Sequence, residues 1–233
     1  MVPHQHLIVS HIALYWGAGE ELWNLPEIEY IQSDSYWKQR DVGMNESFAK
    51  RVNYNKPFIF IEYGPETRIL PKPEAYWLQE FRCGMWVAAM MPWSAPGAFW
   101  YQKEWEQYKL AEYMKGLQAF VAGEDRRGKG YGLVQVPLTP DTALKVQAMQ
   151  NADSARLYVF NYDGLGSRQP VGNGIAGVTA RLSNLKPGNY KVEFWDTIAG
   201  TVQSTRDATS ADGNLLIALP AVAADLAVKV NPG

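Results

Sequence analysis

The sequence predicts an α/β part followed by an all-β part, an antiparallel β-sandwich. Three observations carry this reading. Short apolar runs alternate with helical patterns up to about residue 122, as parallel βα units require. Beyond about residue 144, short strand-like runs recur between turn residues with no helix between them. Composition divides the same way: eight of the nine Trp precede residue 106, and Val, Ala, Gly, Asn and Thr are abundant afterwards. The junction falls in Gly123–Pro140 (GEDRRGKGYGLVQVPLTP), where Gly, Pro and charge cluster, so the expected domains are 1–137 and 138–233.

In the first part, HLIVSHIALY (6–15) and IEYIQSDSYW (28–37) read as strands, the second introduced by Pro26. Residues 37–54 are polar and helical in pattern, with Phe48 and Val52 at i, i+4. Lys56–Pro57 stops that helix and opens FIFIEYG (58–64), a continuous apolar run suited to a strand buried on both faces. Residues 74–90 place Tyr76, Trp77, Phe81 and Met85 at helical spacing, and the end of this run, MWVAAMMPWSAPGAFWY, reads as a strand and a Gly/Pro loop. Residues 103–122 read as one amphipathic helix ended by Gly123. In the second part, strands are expected at 144–149, 156–161, 177–182, 189–195, 201–205, 214–219 and 224–230. Turns at Asn161–Gly166, Lys186–Gly188, Ala199–Gly200 and Asp212–Gly213 separate them.

With 47 % hydrophobic and 20 % charged residues, the 233-residue chain is globular in composition. A formal charge of −2 argues against a nucleic-acid binder. No apolar run reaches the roughly 18 residues of a membrane span, and the opening MVPHQHLIVSHIALYW lacks the basic leader and cleavage site of a signal peptide. Cys83, the one cysteine, excludes an internal disulfide and reads as an inert buried thiol.

Glu62 ends the apolar strand at 58–64, and the carboxyl ends of parallel strands are where α/β active sites form. A carboxylate there suits a nucleophile; capping the next helix or pairing with an Arg are the structural alternatives. KPFIFIEYG resembles the seventh-strand signature of clan A glycoside hydrolases, the retaining TIM-barrel group that includes family 5 cellulases. There a Lys-Pro pair, an apolar strand and a Glu-(Tyr/Phe)-Gly end carry the nucleophile, so the resemblance implies that role for Glu62, with Tyr63 beside it as a substrate contact.

Other segments fall in the matching order. LPEIEYIQSDSYW resembles the sixth strand, placing Tyr36 near the nucleophile, and GMWVAAMMPWSAPGAFWY resembles the eighth strand and its loop. The resemblance implies that in that loop Trp93, or alternatively Trp100, would floor the sugar site. HLIVSHIALY matches the fifth strand, putting His11 in the cleft unless it is a surface residue. Trp16, Trp23 and Trp37 are further candidates to line it, whereas Trp86 and Trp105 read as core. The resemblance thus implies a partial (β/α)8 TIM barrel, about strands 5–8, followed by the β-sandwich. The expected function is a retaining, cellulase-like endo-β-glycanase acting on β-linked polysaccharide, without cofactor or metal.

Retaining hydrolysis needs a second carboxyl group about 5 Å from the nucleophile. In the clan it follows an Asn at the end of the fourth strand. Asn45–Glu46 matches in letters but sits on the helix between two strands; among the other acids, Asp34 at the end of the sixth strand is the least implausible substitute, and it is otherwise a substrate contact. The length sharpens the point, because a complete barrel alone takes about 250 residues. A half barrel leaves strand edges unpaired, so we expect either a homo-oligomer that completes it or an N-terminal half supplied separately. A non-catalytic carbohydrate-binding or structural fragment is the alternative function. Secretion is implied only by the family.

The remaining candidates read as structural. His4 and His6 share a strand face at the surface. Asp153, Asp163, Asp207 and Asp212 are turn residues without the spacing of a calcium loop. Tyr158, Tyr162, Tyr190 and Trp195 pack the sandwich and its contact with the barrel, or form a carbohydrate-binding face.

Overall fold

The computed structural model describes residues 7–12, 20–36, 39–65, 72–92, 97–169 and 172–233. Four parallel strands form the first sheet, in the order β1 (Val9–Ile12), β2 (Tyr30–Ser35), β3 (Phe58–Tyr63) and β4 (Ala98–Phe99). Between them run α1 (Arg40–Arg51) and α2 (Glu74–Ala89), and after them α3 (Gln102–Gln107) and α4 (Met114–Val121). Asp41 in the first turn of α1 and Lys50 and Arg51 in its last complement the helix dipole, and Asn55, at φ 52°, turns the chain toward β3. Among the described residues, no strand pairs with the outer edge of β1 or β4.

Two expectations are corrected here. Residues 84–89 do not start a strand; they complete α2, and the strand lies at Ala98–Phe99. A run buried on every side carries no periodicity to separate helix from strand, and α2 is buried from Trp77 onward except at Gln79. The helix expected over 103–122 is broken: Lys109 adopts a left-handed φ of 51°, and a 3-10 turn at Leu110–Tyr113 separates α3 from α4. The break buries Leu110 and Tyr113, which continuous periodicity could not report.

The second part is a sandwich of two antiparallel sheets. The larger has the order β11 (Val202–Ser210), β10 (Gly188–Trp195), β13 (Asp225–Pro232), β8 (Ala155–Phe160), β7 (Lys145–Gln150), β5 (Gly132–Leu133). The smaller has the order β12 (Leu215–Ala218), β9 (Thr179–Leu182), β6 (Leu138–Thr139). The expected strands from 144 onward are all present; the two-residue β5 and β6 lie within the junction segment. Their pairing means that the expected division after residue 137 falls between two strands of the sandwich. The Asp212–Gly213 turn closes as a hairpin with both residues at positive φ, 50° and 79°, as a two-residue turn matched to strand twist requires.

The larger sheet is covered on both faces at its centre, while its edge strand β11 is exposed along most of its length. Leu157, Val159, Val192, Phe194 and Val228 pack inward with Leu182, Leu215 and Ile217 of the smaller sheet. Tyr158, Phe160 and Ala227 face the other way and join the core around α2. Trp86 of α2 stacks on Tyr158 at 5.4 Å and 10°, and Trp195 meets Phe120 of α4 edge-on at 5.6 Å. A buried ion pair, Arg82 to Asp225 at 2.6 Å, lies in the same layer. As expected, Tyr158 and Trp195 pack at the contact with the first part of the chain, against Trp86 and Phe120, while Tyr190 lies in the inner core of the sandwich. The helices α1 and α2 thus lie between the parallel sheet and the sandwich.

Candidate active site

The carboxyl ends of β1, β2 and β3 bring His11, Asp34, Tyr36 and Glu62 to one face of the parallel sheet. Strand alternation alone does not do this. From Phe58 to Tyr63 the burial runs buried, half-buried, buried, half-buried, half-buried, buried. Phe58, Phe60 and Tyr63 enter the helix-side core, and Ile59, Ile61 and Glu62 face away from it. The pairing explains the break in period: Ser33 lies opposite Phe60, but Asp34 lies opposite Glu62, so the register skips Ile61. This bulge turns Glu62 out of the helix layer, where a strict period of two would have placed it with Phe58 and Phe60.

Gly97 sits directly against the bulge. A Cβ there would lie 1.5 Å from the Phe60 carbonyl oxygen, so no other residue lets β4 approach β3 this closely. On β2, Ser33 and Ser35 turn toward α1, contacting Ser47 and Arg40, and the alternate residues Asp34 and Tyr36 take the site face.

Two hydrogen bonds organise the cluster. The Tyr36 hydroxyl donates to Glu62 Oε2 at 2.7 Å. Burial, followed by the Glu62 carboxylate, pushes the Tyr36 hydroxyl far above its ordinary range, so it remains a donor. His11 Nε2 meets Asp34 Oδ1 at 2.8 Å, with the His side chain 33 % and the Asp side chain 5 % exposed. Burial raises the Asp34 carboxyl; His11 opposes that shift and the Glu62 charge adds to it. The arrangement offers one oriented carboxylate, a second buried carboxyl on the neighbouring strand, and an imidazole at the rim.

Tyr63 requires a correction. Its ring is buried against Phe81 and Phe99, and its hydroxyl donates to the Phe81 carbonyl at 3.2 Å. It faces the helices, opposite Glu62, because the two residues are adjacent beyond the bulge. Trp23 is likewise buried, edge-on to Tyr54 and beneath Arg51, rather than lining the cleft. Trp86 is core, and Trp105 packs on Phe81. Trp100 directly follows β4, is 49 % exposed, and its backbone N–H donates to the Tyr63 carbonyl. Trp93, Trp37, Trp16, His4 and His6 lie outside the described residues.

Sequence reasoning missed the parts that aim the cluster, the bulge at Ile61 and Gly97; only the Gly at the head of a short apolar pair hints at a close approach. Cys83 is buried and its thiol is raised by burial, as an inert residue should be. Among the described residues, no three metal-binding side chains converge, and no helix is long and apolar enough to cross a membrane. A cavity of about 370 Å³ lies at the joint with the sandwich, around Arg82, Asp225 and Asp196. Another of about 320 Å³ lies under β4, among Phe81, Phe99 and Trp105, and neither includes Glu62.

No protein-family model matches the chain, and no curated protein matches its sequence. Solved structures do match. A family 5 glycoside hydrolase from Bacteroides vulgatus is 13 % identical with a TM-score of 0.55, over 97 % of this chain and 56 % of that one. A second structure, described as a glycoside hydrolase, is 12 % identical with a TM-score of 0.51, over 98 % of this chain and 58 % of that one. A family 30 endoxylanase from Clostridium papyrosolvens is 14 % identical with a TM-score of 0.47, over 92 % and 52 %. On the first two of these, this mixed α/β chain shares its fold with solved glycoside hydrolases. It spans about half the length of the chains it matches.

Proposed function

We propose that the chain is the nucleophile-bearing part of a retaining, cellulase-like endo-β-glycanase acting on β-linked polysaccharide. The observation that carries this reading is the 2.7 Å hydrogen bond from Tyr36 to Glu62 at the carboxyl ends of adjacent parallel strands. It orients one carboxylate oxygen and leaves the other to attack. Glu62 adds to the anomeric carbon as the glycosidic C–O bond breaks, and the leaving oxygen takes a proton from an acid. Water then attacks the glycosyl ester, gives up a proton to the conjugate base and restores Glu62. Trp100 and His11 are the substrate contacts within the described residues, and Trp93 and Trp37 are candidates beyond them.

The proton donor is not assigned to Glu46, which lies on helix α1. Asp34, paired with Glu62 across the strands, is a carboxyl group on the site face, held by His11. A donor supplied by the other half of a barrel, from a second copy or from an N-terminal half, is the arrangement supported by the edges of β1 and β4, which no strand among the described residues pairs.

A 2-deoxy-2-fluoro β-glycoside with an activated leaving group tests the nucleophile, because it labels the attacking carboxylate. The label is expected on the peptide containing Glu62 and absent from Glu62→Gln, which also loses hydrolysis by about 10³-fold or more. Wild-type rates in Glu62→Gln overturn the assignment. The exposed Trp100 beside the strand ends supports a second reading, carbohydrate binding without cleavage. Tryptophan fluorescence that responds to cello- or xylo-oligosaccharides while no reducing ends are released selects it.

A further inference from the structure

The strand ends carrying Tyr36 and Glu62 are held by a buried polar chain that ends in the sandwich. Arg40, at the start of α1, is fully buried. Its Nη1 donates to the Ser35 carbonyl and to Ser35 Oγ at 2.9 Å, and its Nη2 donates to the Gly64 carbonyl. Nη2 and Nε both donate to Glu80 Oε2, at 2.8 and 2.9 Å. All five guanidinium N–H groups are therefore used. Ser35 immediately precedes Tyr36, and Gly64 lies two residues beyond Glu62. One side chain thus clamps the two strand ends whose side chains meet at 2.7 Å.

A buried guanidinium keeps such a geometry only with a paired anion. That anion is Glu80 of α2, itself buried, and one of its two oxygens is taken by Arg40. The other accepts from the hydroxyl of Tyr162, in the turn after β8 of the sandwich. Gln79 fixes the same turn to α2 by donating to the carbonyls of Tyr162 and Asp163, each at 3.3 Å.

We infer that Tyr162 is a positioning residue: through Glu80 and Arg40 it sets the spacing of the Tyr36 and Glu62 strand ends, so the sandwich is a working part of the site. The inference rests on the reading of that strand-end face as the site. It assigns the sandwich a task other than carbohydrate binding. Removing the hydroxyl leaves Glu80 Oε1 without its donor inside the core, where an unmatched acceptor pulls its neighbours out of place.

The test is Tyr162→Phe in the full chain, followed by hydrogen exchange of the Gly64 amide, which donates to the Ser35 carbonyl at 3.2 Å. Tyr190→Phe is the control. It removes an equivalent hydroxyl that donates to the Lys186 carbonyl at 2.7 Å within the sandwich, remote from the chain of contacts. Exchange at Gly64 is expected to rise about tenfold in Tyr162→Phe, with no change in Tyr190→Phe. Amides of β8 and β13 stay as in the wild type. Where turnover is measurable, Tyr162→Phe lowers kcat more than it raises KM.

Unchanged Gly64 exchange in Tyr162→Phe, or an equal rise in both variants, overturns the inference. Exchange requires no activity, so it separates the two readings. Glu62→Gln retaining hydrolysis overturns the hydrolase, and a rise at Gly64 in Tyr162→Phe still supports the clamp.

Discussion

The parallel sheet and the larger sandwich sheet approach α1 and α2 from opposite sides, and they spend their faces differently. At its centre the sandwich sheet buries both: every residue of β8 is buried, with Leu157 and Val159 on one side and Tyr158 and Phe160 on the other. Among the described residues, the parallel sheet buries its large apolar side chains on its helix side, through Phe58, Phe60 and Tyr63. Its other face carries Gln32, Asp34, Tyr36, Ile59, Ile61 and Glu62, which are polar or half-buried. Parallel sheets are ordinarily covered on both faces. Most of the packing is thereby kept apart from the polar cluster: aromatic contacts and the Arg82–Asp225 pair hold the joint, and only the Tyr162–Glu80–Arg40 chain crosses from it to the strand ends.

Three substitutions break or sharpen this contrast. The largest effect is expected from Asp225→Ala. Asp225 accepts from Arg82, Tyr158 and Thr197 at 2.6, 2.9 and 2.7 Å, so its loss strands a buried guanidinium. Denaturant unfolding should show a cost of about 3–5 kcal/mol, while oligosaccharide affinity per folded molecule is unchanged. A large loss of affinity at full folding would mean that the Arg82–Asp225 pair also reaches the strand ends, and that the Tyr162–Glu80–Arg40 chain is not the sole link between joint and site.

Gly97→Ala tests the other side. Its Cβ meets the Phe60 carbonyl, so β4 or the bulge must shift, at about 1–3 kcal/mol. The functional loss should exceed the stability loss, read as weakened fluoro-glycoside labelling of Glu62 at temperatures where the protein stays folded.

The smallest effect lies in the pH dependence of Asp34→Asn. Burial, opposed by His11 and Arg51 and reinforced by Glu62, raises the Asp34 carboxyl above its ordinary 3.8. The folded protein then holds this proton more tightly than the unfolded chain. Its contribution is greatest below pH 3.8 and is lost as pH rises through the raised value. Wild-type stability relative to Asp34→Asn should therefore fall from about pH 4 upward. A difference that stays flat from pH 3 to pH 7 removes Asp34 from the set of buried charges at the site.

Much of this was legible in the chain. The sandwich strands stood out because Asp212–Gly213 and its counterparts punctuate short alternating runs. Glu62 stood out because an apolar strand ends in a carboxylate. Tyr63 was misread because the bulge lies between residues of similar hydrophobicity, Phe60 and Ile61, and leaves no mark on the pattern. The break at Lys109 was hidden for a related reason, since the residues on both sides keep a helical period and only tertiary packing decides between them. The chain from Tyr162 through Glu80 to Arg40 spans 40 and 82 residues between successive partners, beyond the reach of any local pattern.

The two-sided burial of the larger sandwich sheet bears on how such proteins can be recombined. An accessory module that touches its neighbour through a linker can be exchanged freely between chains. This one cannot: a replacement would have to bring its own equivalents of Tyr158, Phe160, Trp195, Tyr162 and Asp225 in the same register. The transferable unit is the strand-end cluster together with its sandwich, and a shuffled chain cut at the junction would inherit a site without its frame.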